Sequence, residues 1–235
     1  MHYTGVEMPK SLRAEERLDE DDQPKGPLAL PGSYQVKVEA NGHGANETVQ
    51  VVADPRVNPP MEVQRAAFDT AMRLRGEAAA DVAVIGRTYE MMQTLDKVLD
   101  STGDAAAGSA KSKLHANAET LKATLGDFSK DFWNPTIQYK VPEDDLHQLS
   151  PWGMSFFGVY RSVSRMGPDQ APNANQRQYI AQQEAGLQPK LDIFNGALRQ
   201  AVLDFNKQAR AAGMQTLAIG EPVKVGDPKL LASME

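Results

Sequence analysis

Residues 61–100 read MEVQRAAFDTAMRLRGEAAADVAVIGRTYEMMQTLDKVLD, and their apolar pattern decides the fold. Apolar side chains recur every three or four residues over about nine turns, which is the period of an amphipathic α-helix. The members of this stripe are Ala67, Ala71, Leu74, Ala78, Val82, Ile85, Tyr89, Met92, Leu95 and Leu99. Pro59 and Pro60 precede the stripe, and proline is tolerated in the first helical turn because the N–H groups there have no helical partner. The sequence therefore predicts one long helix over residues 61–100 that buries a single face.

Three further helices are predicted after this one, and turn signals separate them. Their expected ranges are residues 109–132, 150–166 and 174–213. Pro189 lies inside the last range and removes one helical hydrogen bond, so we expect a kink or a break there. Helices in this order favour an antiparallel four-helix bundle over residues 58–215. The glycines and prolines of residues 216–235 indicate an irregular tail.

The first 57 residues have a different pattern, which is typical of short strands and turns. Residues 33–40 (SYQVKVEA) and 46–53 (NETVQVVA) alternate apolar and polar side chains, and Gly42 and Gly44 between them favour a tight turn. These strands predict an antiparallel hairpin, which is marginal in water without neighbours. Because an immunoglobulin-like sandwich has about seven strands, we expect residues 1–57 to be its C-terminal half. The upstream half would then be missing, and the hairpin would have an open strand edge. The predicted fold class is α+β, mostly α.

Composition and missing motifs exclude several classes of function. The chain has 235 residues, with 25 Lys+Arg, 31 Asp+Glu and a net charge of -6, whereas nucleic-acid binding needs a basic surface. Cysteine is absent, so disulfides and thiol nucleophiles are excluded. No apolar run reaches the ~20 residues that span a bilayer, and residues 1–10 lack the form of a signal peptide. No zinc-binding, nucleophile-elbow or phosphate-loop motif occurs, so we expect no catalytic residue, metal or cofactor.

Two groups of residues are candidates for ligand binding. Glu143, Asp144 and Asp145 have the side chains needed for acid–base catalysis or for a divalent ion, but a solvated polar loop is the favoured interpretation, because acid clusters in loops are commonly solvated. Trp152 and Tyr160 belong to an aromatic concentration that either stacks on sugars or fills the core between helices. A cleft that joins the acids to both aromatic rings would indicate a glycoside hydrolase.

Two short motifs in the β-region resemble a known family. Pro31-Gly32-Ser33-Tyr34 begins the first predicted strand, and Asp54-Pro55-Arg56-Val57 follows the second. With the long helix that comes next, they resemble the C-terminal region of sortilin-like or BNR (Asp-box) repeat glycosyl hydrolases, which are large secreted bacterial proteins. In that family, β-propeller repeats precede an Ig-like domain and a helical bundle. The resemblance implies structural roles for Pro31, Gly32, Tyr34, Asp54, Pro55 and Arg56. The Asp-box repeat does not occur in this chain, so no catalytic residue of the family is carried over.

The resemblance implies a non-catalytic accessory or interaction module, the C-terminal part of a larger exported protein. We expect it to pack against a β-propeller or another protein, to be secreted or periplasmic with its parent protein, and to allow homo-oligomer formation through the open strand edge. The alternative is a glycoside hydrolase or carbohydrate-binding fragment that uses the loop carboxylates and aromatic residues. A third interpretation is a helical scaffold that binds a peptide in an open channel between the long helix and its neighbours.

Overall fold

The structure is a computed structural model that describes residues 1–7, 25–57, 59–130, 156–164 and 170–232. These residues form an α+β fold that is mostly helical. Within them, the strands are β1 (Gly32–Ala40) and β2 (His43–Val51). The helices are α1 (Met61–Thr102), α2 (Ala110–Ser129), α3 (Phe156–Ser164), α4 (Ala174–Ile193), α5 (Arg199–Ala211) and α6 (Pro228–Ala232). A π-helical turn, Phe194–Leu198, joins α4 to α5.

Helix α1 is the centre of the hydrophobic core. It contacts α2, α3, α4 and α6. All but three of the residues from Leu74 to Thr88 are buried, so the middle of the helix has no solvent-exposed face. Residues 78–80 are alanines, whose small side chains let neighbouring elements approach closely. The prediction of one long helix is confirmed, but the prediction of a single buried face is wrong for its middle, because other elements surround the helix there and bury polar residues such as Arg75 and Asp81 together with the apolar ones.

The α2 helix packs antiparallel to α1. Thr102 near the end of α1 forms a hydrogen bond with His115 near the start of α2, with 2.9 Å between Oγ1 and Nδ1. Asp96, which precedes Thr102 in α1, forms an ion pair with Lys122, which follows His115 in α2. The contacts therefore run in opposite directions along the two helices. The predicted helix over residues 109–132 is thus confirmed as a helix over Ala110–Ser129, although residues 131–132 lie outside the described residues.

The last long helix is irregular, but not at its proline. Asn173 begins α4 in a capping box with Gln176, in which each side chain bonds the backbone of the other residue. The chain stays α-helical through Pro189, so of the predicted kink or break the break is wrong, and the kink stays a prediction. Pro189 and Ala185 are exposed, and water can reach the carbonyl group that lacks its helical donor. The helical hydrogen bonds change instead in the π-helical turn, five residues later.

Helix α2 also packs against the α4–α5 helix, which extends the helical layer beyond α1. The Phe128 ring stacks on Phe194 with 6.1 Å between centroids, and Asn117 contacts Gln208. These contacts again run antiparallel. The predicted helix over residues 150–166 is described only as α3, and the rest of that range lies outside the described residues. The helices pack around α1, and the four-helix bundle over residues 58–215 stays a prediction.

The C-terminal segment has a defined path. Residues 212–227 contain no helix or strand, as the prediction of an irregular tail requires, but Leu217, Ile219 and Val223 are buried in the core. The segment continues into α6, so the prediction of an irregular tail is wrong for Pro228–Ala232.

The predicted hairpin is confirmed, with a shorter turn than the sequence indicates. Asn41 and Gly42 have φ angles of 50° and 77°, the left-handed values of a type I′ turn, which favours Asn-Gly. β2 therefore begins at His43, rather than at the predicted residue 46. The register pairs Tyr34 with Val49, so the alternating apolar residues of both strands share one face.

The described residues contain no sandwich around this hairpin. β1 and β2 pair with each other in a two-stranded sheet. Outside the hairpin, a single antiparallel bridge joins His2 to Leu28. The Ig-like character of residues 1–57 therefore stays a prediction beyond the hairpin itself.

Candidate functional site at the hairpin

One face of the hairpin is mostly apolar and partly open to solvent. We call it the hairpin face; its large apolar residues are Tyr34, Val36, Val38, Val49 and Val51, and the charged Glu47, opposite Val36, lies among them on the same side. Val38 is 60% exposed and Val49 is 42% exposed, while the other three side chains are half-buried. Lys37 and Glu39 lie on the opposite, polar face, where they form an ion pair. The hairpin is thus amphipathic, with Glu47 interrupting its apolar side, and Val38 and Val49 on that side are exposed to solvent.

The predicted motif residues hold the two ends of this hairpin. The Tyr34 hydroxyl donates a hydrogen bond to the Leu30 carbonyl (2.8 Å), next to Pro31 and Gly32 where β1 begins. After β2, Arg56 donates to both carboxylate oxygens of Asp54, from Nε at 3.0 Å and from Nη2 at 2.7 Å. The backbone N–H of Arg56 adds a third bond to Asp54, at 2.9 Å.

These bonds explain the local turn and its electrostatics. Hydrogen bonds from Arg56 lower the pKa of Asp54 and raise that of Arg56 itself. Pro55 lies between the pair, in the turn that ends β2. Both charged groups are exposed, so the pair orders the turn and contributes little to global stability. Its geometry supports a structural role and offers no unpaired acid for catalysis.

An apolar cavity of about 450 Å³ lies at the base of the hairpin. We call it the hairpin-base cavity. Its walls come from Met1, from residues 27–31, from the end of β2 and the residues after it, from the first turns of α1, from the end of α3, and from Gln170 and Pro172. Its larger apolar lining residues are Met1, Leu28, Val52, Val57, Phe68 and Val163. This lining suits an apolar side chain, and its polar residues, such as Gln64 and Gln170, do not form a catalytic arrangement.

Exposed apolar side chains are concentrated around the hairpin and this cavity. Within the described residues, eight of the large apolar side chains that are exposed lie in residues 1–61. They are Met1, Tyr3, Leu28, Val38, Val49, Val52, Val57 and Met61. Single exposed apolar residues are normal, but a group around one concave site is typical of an interaction surface. The sequence indicated an open edge on the hairpin but did not indicate the cavity, because the walls of the cavity come from segments that are far apart in sequence.

Tyr160 does not offer a face to a ligand. Its ring is fully buried beside α1, and its hydroxyl points to the Lys25 carbonyl at 3.5 Å. Burial raises the pKa of Tyr160 to about 12, although the nearby Arg75 opposes the shift. Of the two alternatives for this residue, the core position is the one observed. Glu143, Asp144, Asp145 and Trp152 lie outside the described residues, so the structure places neither the acids nor the second aromatic ring.

Sequence patterns missed several buried polar side chains. Arg75 interrupts the apolar part of α1, and its Nε donates to the Thr4 carbonyl at 2.6 Å, which fastens the N-terminal segment to the helix. Asn195 and Asn206 of the last helix bind the C-terminal segment. A polar residue within an apolar helix pattern indicates that its side chain needs a buried hydrogen-bond partner. The pattern does not indicate which backbone segment supplies that partner.

No model of a protein family, no curated protein and no solved structure matches this chain. Among the described helices, none has the length and apolar character that crossing a membrane requires. Within the same residues, no three potential metal ligands of the Asp, Glu or His type lie together. The fold and the site therefore define a class in structural terms, a mostly helical α+β protein that presents an amphipathic hairpin above an apolar cavity.

Proposed function

We propose that this chain is a non-catalytic interaction module that docks through the hairpin face and the hairpin-base cavity onto a β-propeller. The observation that carries the proposal is the exposed apolar face of the hairpin. A two-stranded sheet with one apolar side is marginal alone and gains stability when another sheet or a partner covers that side. A second sheet packed on this face would restore the layered arrangement of a β-sandwich.

The hairpin-base cavity adds a place for an anchoring side chain. Interfaces are commonly held by a few apolar or aromatic side chains that fill pockets near the centre of the contact. The cavity opens beside the exposed Val52 and Val57, so one partner surface can cover the hairpin and insert a side chain below it.

The choice of a propeller rests on the motifs at the two ends of the hairpin. They resemble the sortilin-like or BNR repeat glycosyl hydrolases, in which propeller repeats precede such a module. On this proposal the chain acts as the C-terminal part of a larger exported protein and is secreted or periplasmic with it. The glycoside hydrolase alternative has less support, because Tyr160 is buried and cannot stack on a sugar.

Site-specific photo-crosslinking in cells that produce the protein tests the proposal. A benzophenone amino acid replaces Val38 on the hairpin face, and crosslinked peptides are identified by mass spectrometry. The matched control replaces Leu203, an exposed apolar residue of α5 that is remote in sequence from the hairpin. We expect position 38, and not position 203, to crosslink to peptides of a β-propeller in the same polypeptide or in one partner protein.

Three results would contradict the proposal. Equal crosslinking from both positions would show that the hairpin face has no specific partner. Crosslinks from position 38 to a second copy of the chain alone would assign the face to a homo-oligomer. Absence of any crosslink from position 38, with the chain folded, would show that the face stays uncovered.

A further inference from the structure

The C-terminal segment of residues 214–227, which we call the strap, is bound through its backbone by two asparagines. Nδ2 of Asn206 donates to the Leu217 carbonyl at 2.9 Å, and Oδ1 accepts from the Leu217 N–H at 2.7 Å. Asn195 does the same for Val223, at 2.7 and 2.8 Å. A carboxamide side chain has the same donor and acceptor as a peptide group, so each asparagine pairs with the strap as a neighbouring strand would.

Two arginines bind the strap between these points. Nη1 of Arg199 donates to the Gly220 carbonyl at 2.7 Å. Nη1 of Arg87, from α1, donates to the carbonyls of Ile219 and Glu221. The strap therefore lies between α1 and the α4–α5 helix, and four side chains from these helices bind its backbone. Such contacts do not depend on which side chains the bound segment carries.

The side chains of the strap add a simple pattern of recognition. Leu217, Ile219 and Val223 are buried to 3%, 7% and 2% exposure, whereas Ala218 and Gly220 between them are exposed. Leu217 and Ile219 alternate with exposed neighbours as in a peptide that places every second side chain in a groove, and the left-handed Gly220 interrupts this pattern before Val223 is buried.

Charge also favours an acidic segment in this groove. Arg87 and Arg199 bind consecutive carbonyls of the strap, those of Glu221 and Gly220. Burial and, to a smaller extent, the positive charge of Arg199 lower the pKa of Arg87, while Glu90 of α1 and then Asp227 and Glu221 of the strap favour its charged form. Without the strap, Glu90 would be the one of these three acids left beside Arg87.

We propose that the groove between α1 and the α4–α5 helix is a binding site for an acidic peptide of a partner protein, and that the strap occupies it as a built-in ligand. The partner segment would carry branched apolar residues in the pattern of Leu217, Ile219 and Val223, with an acid near the position of Glu221. The strap is tethered to the groove, so its effective concentration there is high, about millimolar. A free peptide must compete with the strap and binds only after the strap leaves.

Release of the strap in the full-length chain tests this inference. Leu217→Asp places a charge at a buried position of the strap and leaves every groove side chain intact. The probe is a fluorescein-labelled peptide with the sequence of residues 214–227, MQTLAIGEPVKVGD, and binding is measured by fluorescence anisotropy. We expect the probe to bind the Leu217→Asp chain at least tenfold more tightly than the wild-type chain, whose groove is occupied.

Two matched variants assign the binding to the groove. Ala218→Asp puts the same charge on the adjacent, exposed residue, so the strap should stay bound and the affinity for the probe should match that of the wild-type chain. Adding Asn206→Ala to Leu217→Asp should weaken probe binding at least tenfold. Lack of probe binding by a folded Leu217→Asp chain would overturn the inference, and so would a dimer of that chain, which would assign the groove to a second copy.

Hydrogen exchange on the wild-type chain gives an independent result if Leu217→Asp does not fold. The amides of Leu217 and Val223 are then compared with those in the core of α1, such as Leu95. A strap that can leave while the helices stay folded exchanges through a local opening, whose rate changes little with low concentrations of urea. Protection equal to that of Leu95, with the same dependence on urea, would show that the strap opens only on global unfolding and would overturn the inference.

Discussion

At the scale of single residues, Asn206 shows how one buried polar side chain can order a segment that has no regular secondary structure. It is 5% exposed and satisfies both backbone groups of Leu217. Asn206→Ala leaves those groups buried without partners, at about 1–3 kcal/mol each. We expect the free energy of unfolding, measured with urea, to fall by about 2–4 kcal/mol.

The control for this variant is Asn117→Ala, which removes an exposed asparagine of α2 that contacts Gln208. Its effect should stay within about 0.5 kcal/mol, as for most surface substitutions. Equal losses for the two variants would show that the Leu217 backbone finds water when Asn206 is removed.

The burial of Tyr160 predicts that the free energy of unfolding falls in alkaline solution. Its phenol is neutral when protonated, and burial raises its pKa from 10.0 to about 12. The contribution of the buried, neutral Tyr160 to the free energy of unfolding is fully present below pH 10. As the pH rises from 10 towards 12, the unfolded chain ionises while the folded chain keeps its proton, so stability falls by about 1.4 kcal/mol per pH unit.

Denaturation of wild-type and Tyr160→Phe chains at a series of pH values from 8 to 12 isolates this contribution. The phenylalanine variant keeps the buried ring and should lose stability less steeply above pH 10. Tyr179→Phe, which changes an exposed tyrosine of α4, is the control and should follow the wild-type curve. Parallel curves for the wild-type and Tyr160→Phe chains would contradict a buried, neutral phenol.

At the scale of elements, the strap contains two glycines in the left-handed region with different surroundings. Gly220 has φ of +65°, and a Cβ there would lie 3.1 Å from Cζ of Arg87. Gly226 has φ of +73° and no heavy atom within 4 Å of such a Cβ. An alanine at either position has an unfavourable backbone conformation that costs about 1–2 kcal/mol, but only Gly220→Ala must also displace Arg87.

A double-mutant cycle separates the two effects. Gly220→Ala should destabilise the wild-type chain more than Gly226→Ala does. In an Arg87→Ala background, the cost of Gly220→Ala should fall towards that of Gly226→Ala, as measured by urea denaturation. An unchanged cost would show that the backbone conformation alone limits Gly220.

The elements also show how far local patterns determine the fold. Period and turn chemistry suffice for α1, α2 and the hairpin, because each depends on contacts between residues close in sequence. The prediction of a break at Pro189 is wrong because the free-energy cost of a proline inside a helix depends on whether water reaches the carbonyl that lost its helical donor. Only the folded surroundings of the helix determine that. Sequence patterns predict an irregular segment for the strap, because its hydrogen bonds go to side chains of distant residues, which no periodicity in the sequence indicates. These residues are Arg87, Asn195, Arg199 and Asn206.

At the scale of the whole molecule, the candidate site and the core have separate origins. The site was predictable as an open hairpin, since two strands cannot cover their own apolar face, but the cavity beneath it needs several distant segments brought together by the fold. The core is built from the helices, the strap and Val6, and no residue of β1 or β2 belongs to it. We therefore expect the helices to fold without the hairpin.

Replacement of residues 34–49 by a short Gly-Ser loop tests this independence. Ser33 and Gln50 are paired across the hairpin, so their backbones lie close enough for a short connection. The replacement loses the bond from Tyr34 to the Leu30 carbonyl, about 1 kcal/mol, and a shorter loop offsets part of that loss. We expect the helical circular dichroism to persist and the free energy of unfolding to change by no more than about 1 kcal/mol. Removal of a separate docking element leaves the core intact. A loss of several kcal/mol, comparable to that expected for the buried Leu95→Ala substitution, would therefore show that the hairpin is an integral part of the helical fold.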